Sequence, residues 1–250
     1  MKKLPDYILI GDIRCGTTSI YYMMIQHPRI IPASKKELYF FNHFGKDDNW
    51  NKGVDWYINK LGGCKEGQIT GEATPEYMWN YNKVAPRVKQ ICPNTKFIIM
   101  LRNPVEKIYS HFTMYVTSCL QCHRTPVTMS FDEIMNDTFF KKNNDIAKMG
   151  QYILNRTKYI NLIKGWFQYF AREKFLILKS EDMFENPKKV LNEIFKFLNL
   201  FPYEVKILHK NKGKRSPMKQ IWKEKLQNYF EPYNTKLYKL IGKNFNWENK

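Results

Sequence analysis

The sequence contains no run of eighteen uncharged apolar residues, so a transmembrane helix is not expected. It lacks internal repeats, low-complexity tracts and any Pro/Gly/Ser-rich linker, which sets aside solenoids and disordered arrays. One domain over residues 1–250 is therefore expected. Its 5 cysteines (Cys15, Cys64, Cys92, Cys119 and Cys122) are odd in number, unlike a secreted disulfide framework. Cys119 and Cys122 have the C-x-x-C spacing of a zinc-ligand pair and His123 adjoins them, but no second CxxC or HxxxH follows. Free thiols in a loop are the better reading there, and no metal is expected. Acidic residues are scarce: 23 Asp and Glu against 41 Lys and Arg give a formal net charge of +18. Such a field favours anionic partners. A Lys- and Asn-rich composition that solvates the surface accounts for the total equally well, so only clustering at a site carries information. The start, MKKLPDYILIGD, has too short an apolar stretch for a signal peptide and runs straight into a glycine loop. A cytoplasmic protein is expected, with a removed N-terminal anchor as the alternative.

What is present alternates between buried strands and helices. DYILI (6–10) and TKFIIML (95–101) are apolar enough for strands covered on both faces, as is KFLIL (174–178). A short strand or loop is expected at 29–34 and a strand tip at 69–72. Helices are expected at 17–26, ended by His27-Pro28, and at 52–62, ended by Gly62-Gly63. VAPRVKQI precedes the stop at Pro93, and Pro104 suits the first turn of a helix reaching about residue 117. A polar loop at 118–130 leads to Ser130 and Glu133, a capping box. A long amphipathic helix is expected at 151–171. NPKKVLNEIFKFLNL places Val190, Leu191, Ile194, Phe197 and Leu198 on one face. This order predicts an α/β fold with a mostly parallel central sheet flanked by helices.

The chemistry concentrates in a few stretches. YILIGDIRCGTTS (7–19) runs from a strand through a glycine turn into a helix, an arrangement that aims backbone N–H groups and a helix dipole at an anion. Gly11 and Gly16 have the spacing of a P-loop, yet Thr17 stands where that motif has lysine, and the cation is Arg14. Arg102 follows a buried strand, where open parallel sheets bind ligands. Ser110 lies about two helical turns on, so the pair is placed to grip a second phosphate. An Arg102–Glu106 ion pair is the plainer alternative for that arginine.

GDIRCGTTSIYYMMIQHPRI, KKELYFFN, GEATPEYM, FIIMLRNPVEKIYSHF, KSEDMFENPKKVLNEIFKFLNL and NKGKRSP occur in this order. In this the chain resembles PAPS-dependent sulfotransferases (PAPS is 3′-phosphoadenosine-5′-phosphosulfate), most closely the branch of heparan sulfate glucosaminyl N- and 3-O-sulfotransferases and their bacterial relatives. The resemblance covers residue 7 to the terminal NFNW. It implies that Arg14, Cys15, Gly16, Thr17, Thr18 and Ser19 hold the 5′-phosphosulfate. Arg102 and Ser110 would hold the 3′-phosphate, and Lys212, Gly213, Lys214 and Arg215 would close over the nucleotide. It also implies Glu37 as the base that takes the acceptor's proton, with Lys36 beside the sulfuryl group and Glu72 near the acceptor. His111 is a further candidate on the substrate side. Family members usually carry Lys where this chain has Arg14, and an arginine stabilises a leaving phosphate but is a poor proton donor.

The expected reaction is sulfuryl transfer from PAPS, leaving PAP, to a hydroxyl or amine of a glycan or polar small molecule rather than to nucleic acid. Two rivals are weighed. A P-loop nucleotide kinase or NTPase calls for a lysine after Gly16 and a Mg²⁺-binding Asp after a strand, and neither is evident. A basic, non-catalytic module for nucleic acid or sulfated glycan predicts that Glu37→Gln leaves function intact.

Overall fold

The computed structural model describes residues 2–42, 48–121, 130–141, 145–208 and 217–249, without the side chains at 115–121, 141, 146 and 249. Along the chain run β1 (Tyr7–Gly11), α1 (Thr17–Met24), β2 (Ile30–Pro32), α2 (Gly53–Lys60), β3 (Ile69–Ala73), α3 (Tyr81–Ile91), β4 (Lys96–Leu101) and α4 (Pro104–Gln121). There follow α5 (Phe131–Asn136), α6 (Asp145–Arg156), α7 (Tyr159–Phe167), β5 (Phe175–Lys179), α8 (Ser180–Glu185), α9 (Pro187–Phe197) and α10 (Gln220–Ile241). The chain forms two compact units, Met1–Leu101 with Leu162–Lys212, and Arg102–Asn161 with Gly213–Lys250. No linker in the sequence marks the division.

The first unit holds a five-stranded sheet in the order β2-β3-β1-β4-β5. Every pairing is parallel, with Tyr7 opposite Gly71 and Lys96, and Phe97 opposite Phe175. Parallel strands must be covered on both faces, which is why residues 97–101 are without exposure. Alternation sends Tyr7, Leu9, Ile98, Met100 and Leu178 into one core with Ile20, Met23 and Met24 of α1 and Val190, Leu191, Ile194 and Phe195 of α9. Phe97 points the other way, its ring 4.6–5.2 Å from those of Trp166, Phe170 and Phe175. Burying each such side chain contributes about 1.5–3 kcal/mol before entropy is counted. Gly71 is required where β3 meets β1, because a Cβ there would lie 2.3 Å from the Tyr7 carbonyl oxygen.

The second unit is helical. Val105 and Ile108 of α4, Phe131, Ile134 and Met135 of α5, Ile153 and Leu154 of α6, and Trp222, Leu226 and Phe230 of α10 form its core. Asn103 Oδ1 accepts the Val105 N–H at 3.0 Å at the start of α4, while its Nδ2 donates to the Trp247 carbonyl at 3.2 Å. The expected capping box is present: Ser130 Oγ accepts from Glu133 N, and Glu133 Oε2 accepts from Ser130 N at 2.7 Å.

The single helix expected at 151–171 is two helices. α6 stops at Arg156 because the next N–H groups reach back only three residues, Thr157 to the Leu154 carbonyl and Lys158 to that of Asn155. The buried Thr157 hydroxyl also takes the Ile153 carbonyl at 2.9 Å, a local bond that competes with the helix ladder. α4 runs to Gln121, past the expected end near 117. The Cys119 side chain, Cys122 and His123 lie outside the described residues, as do Lys212, Gly213, Lys214 and Arg215. Among the described residues no helix is long and apolar enough to cross a membrane.

Candidate active site

In a parallel sheet all carboxyl ends lie along one edge, and two irregular segments of the first unit gather there. The first leads from β1 into α1. Cys15 N–H donates to the Asp12 carbonyl at 3.3 Å, and Ile20 N–H to that of Gly16 at 3.1 Å, so the chain is already turning before the helix begins. Gly16 enters the left-handed region at φ 79°, and Arg14 does the same at φ 62°. The N-cap is Gly16, which has no side chain to cap α1, and no acid lies in the first turn. The first-turn N–H groups and the positive end of the helix dipole face the mouth of this loop. With the Thr18 hydroxyl and the half-buried Arg14, this donor set suits an anionic group.

Not every residue placed in this cradle from sequence contributes in the way expected. Cys15 is wholly buried in the core, its Sγ 3.5 Å from the Ile13 carbonyl, and its N–H is spent within the turn. It shapes the loop. Thr17 and Ser19 are each only 5% exposed. Ser180, at the end of β5, is fully buried and donates from Oγ to the Cys15 carbonyl at 2.7 Å. That tie fixes the loop's floor, and its only trace in the sequence is a serine following a strand.

The second segment follows β2. Glu37 N–H donates to the Ala73 carbonyl at 3.0 Å, which moors this stretch to the carboxyl end of β3. Glu37 and Tyr39 both have positive φ, 65° and 51°. Glu37 Oε1 pairs with Lys36 Nζ, and Oε2 accepts from the Tyr39 hydroxyl at 2.6 Å. The Glu37 side chain keeps about a third of its surface open, 34%, whereas Lys36 keeps 9%. An accessible carboxylate with an ammonium held against it is thus presented beyond the sheet edge. Tyr39, one aromatic in the run LYFF, carries no sequence signal that marks it as a partner of Glu37.

Glu72 departs from the sequence expectation. It was placed against the acceptor, but its exposure is 0% and its carboxylate is enclosed by hydroxyls of Tyr57 (2.7 Å), Thr74 (2.7 Å) and Tyr77 (3.2 Å). Burial pushes its pKa up, and those hydroxyls together with a backbone N–H at Leu38 work against the rise. A group so enclosed does not touch an acceptor. Tyr77 likewise packs inside, its ring 5.6 Å from that of Phe41.

In the second unit, Arg102 follows β4 directly and its Nη2 pairs with Glu106 Oε2 at 3.2 Å. The Arg102 carbonyl accepts the Tyr159 hydroxyl at 2.9 Å. Ser110 and His111 lie on α4, 1% and 9% exposed. The Arg102–Glu106 pair weighed as the plainer alternative is therefore formed. With Glu106 half exposed, such a pair is worth at most about 1 kcal/mol, and an arriving anion can compete for the guanidinium.

The family model for the sulfotransferase domain matches residues 4–243. The chain is 26% identical to the membrane-associated sulfotransferase kil1 of Dictyostelium discoideum, over 98% of this chain and 67% of that protein. It is 27% identical to the human heparan sulfate glucosamine 3-O-sulfotransferase 5, over 99% of this chain and 75% of that one. Against the bifunctional heparan sulfate N-deacetylase/N-sulfotransferase 1 of Caenorhabditis briggsae the identity is 28% over 97% of the chain, which spans 31% of that longer protein. Among solved structures, a sulfotransferase from Alicyclobacillus acidocaldarius superposes with a TM-score of 0.78 at 24% identity, covering 99% of this chain and all of the other.

Proposed function

The chain belongs to the sulfotransferase family, and on that basis we propose that it moves a sulfuryl group from PAPS to a hydroxyl or amine of a carbohydrate or other polar acceptor. One observation carries the reading. The uncapped start of α1, with Arg14 beside it, lies at the same sheet edge as the Lys36–Glu37–Tyr39 segment, so an anion cradle and a candidate base serve one edge.

PAPS supplies a sulfuryl group on a good leaving phosphate. The first-turn N–H groups, Thr17, Thr18 and Ser19 hold its 5′ end, and Arg14 stabilises the charge that grows on the bridging oxygen. Arg102 and Ser110 hold the 3′-phosphate, and residues 212–215 close over the nucleotide. Glu37 accepts the proton of the acceptor O–H or N–H as the new bond to sulfur forms and the old sulfur–oxygen bond breaks, releasing PAP. Lys36, pressed against Glu37, offsets charge on the sulfuryl oxygens. No metal is needed in this scheme, because Arg14 and Lys36 supply the positive charge.

The test pairs a binding assay with a transfer assay. PAP should raise the melting temperature by mass action well beyond ATP with Mg²⁺. Sulfur-labelled PAPS should then label a hydroxyl- or amine-bearing carbohydrate in an acceptor panel. A preference for ATP, or no transfer to any acceptor, overturns the proposal.

A further inference from the structure

The segment that presents Glu37 has no regular secondary structure, and two of its residues adopt positive φ without being glycine. Such backbone persists only where the surroundings over-determine it. Here the restraint converges on one group. The Phe40 and Phe41 N–H groups donate to the Tyr77 hydroxyl at 2.8 and 3.4 Å. Tyr77 in turn donates its proton to Glu72. Thr74 and Tyr57 donate to the same carboxylate. A carboxylate offers about four acceptor sites, and three hydroxyls meet it here. Phe40 and Phe41 are completely buried, so their backbone groups find no water to replace a lost partner.

We propose that Glu72 is a positioning residue: its buried carboxylate fixes the backbone of residues 37–41 and thereby aims Glu37 at the acceptor. The inference rests on the reading of Glu37 as the base. Glu72 reaches the chemistry through the Tyr77 hydroxyl, which ties it to the backbone of Phe40 and Phe41. That route does not run through the loop of residues 12–19, so nucleotide binding and turnover should respond differently.

Glu72→Gln keeps the side chain's shape but turns one acceptor into a donor, and Tyr77→Phe deletes the bridge while leaving the ring. Trp166→Phe serves as a control, since it removes one hydrogen bond, to the Met78 carbonyl, from the same unit's core. The first readout is amide hydrogen exchange. Protection at Phe40 and Phe41, measured relative to Ile8 and Leu9, should fall at least tenfold in Glu72→Gln and Tyr77→Phe and hold in Trp166→Phe. The second is the split between kcat and nucleotide affinity. In both variants kcat should fall on the order of tenfold to a hundredfold, the loss expected when a reacting group is misplaced by about 1 Å, with the PAP dissociation constant within twofold of wild type. Unchanged protection, unchanged kcat, or a parallel loss of PAP binding overturns the proposal. If Glu72→Gln does not fold, Tyr77→Phe decides alone. A wild-type protein that does not transfer sulfate from PAPS, yet loses protection in the variants, refutes the proposed reaction while leaving the role of Glu72 in shaping residues 37–41 standing.

Discussion

Ser180 Oγ donates to the Cys15 carbonyl at 2.7 Å, fully buried, joining the end of β5 to the turn before α1 across 165 residues of sequence. The bond matters because the turn it braces must hold Gly16 and Arg14 in left-handed conformations at the mouth of an uncapped helix.

Ser180→Ala leaves that buried carbonyl without this donor, at a cost of about 1–3 kcal/mol. Urea denaturation should show a lower midpoint with an unchanged m-value. Calorimetric titration should show weaker PAP binding, because the cradle is no longer braced from below.

Gly16→Ala places a Cβ on a residue at φ 79°, which costs about 1–2 kcal/mol for an L-amino acid. The new methyl also meets the Met183 Cε, a flexible tip that can move aside. The variant should fold with a lowered melting temperature and lose most of its affinity for PAP. Undiminished affinity would argue that this turn does not hold the nucleotide.

Glu37→Gln and Arg14→Ala should separate chemistry from binding. Removing a base costs on the order of 10²–10⁴-fold in kcat. Glu37→Gln should therefore lose turnover while keeping PAP affinity within twofold. Arg14→Ala should lose both, and Arg14→Lys should recover affinity in part, since an ammonium keeps the charge but not the bidentate grip. Steady-state kinetics with sulfur-labelled donor, beside titration with PAP, checks all three.

Asp48 gives a pH prediction. Burial raises its pKa, but hydrogen bonds from Arg87 and the Trp50 N–H, with the charges of Arg87 and Lys83, more than offset this and leave it below the ordinary value of 3.8. A carboxylate whose folded pKa is depressed adds stability that is present above its unfolded pKa and is lost as pH falls through the folded one. Asp48→Asn should therefore lower the melting temperature at neutral pH, and the gap from wild type should close below pH 3.8. A gap that stayed constant down to pH 2 would show that the ion pair is not its origin.

The sheet was readable because its strands carry their own evidence: residues 97–101 are continuously apolar, and only a strand covered on both faces needs that. Glycine spacing and the Ser130–Glu133 cap were readable for the same local reason. The break at Thr157 was not, since one hydroxyl bonding back to Ile153 leaves no trace in hydrophobic periodicity. For the candidate site, Arg14 follows from the pattern of the glycine loop, and Glu37 from the family resemblance. The environment of Glu72 follows from neither. Tyr57, Thr74 and Tyr77 converge on it from a helix, a strand end and a turn, and nothing in the residues themselves says that three hydroxyls will meet one carboxylate. For the same reason the sequence put Glu72 on the surface of the reaction rather than beneath it.

The sheet order has a consequence for how the chain is made. β1 to β4 all emerge from the ribosome before residue 102, whereas β5 and α9 come after the long helical excursion that begins there. Throughout that interval the outer edge of β4 has no partner strand, and Ile20, Met23 and Met24 of α1 await the α9 side chains that share their core. A bare edge and an uncovered apolar helix face are the features that recruit other chains. The nascent protein is therefore most vulnerable to aggregation in mid-synthesis, and chains terminated early in the excursion should be insoluble however stable the finished molecule is.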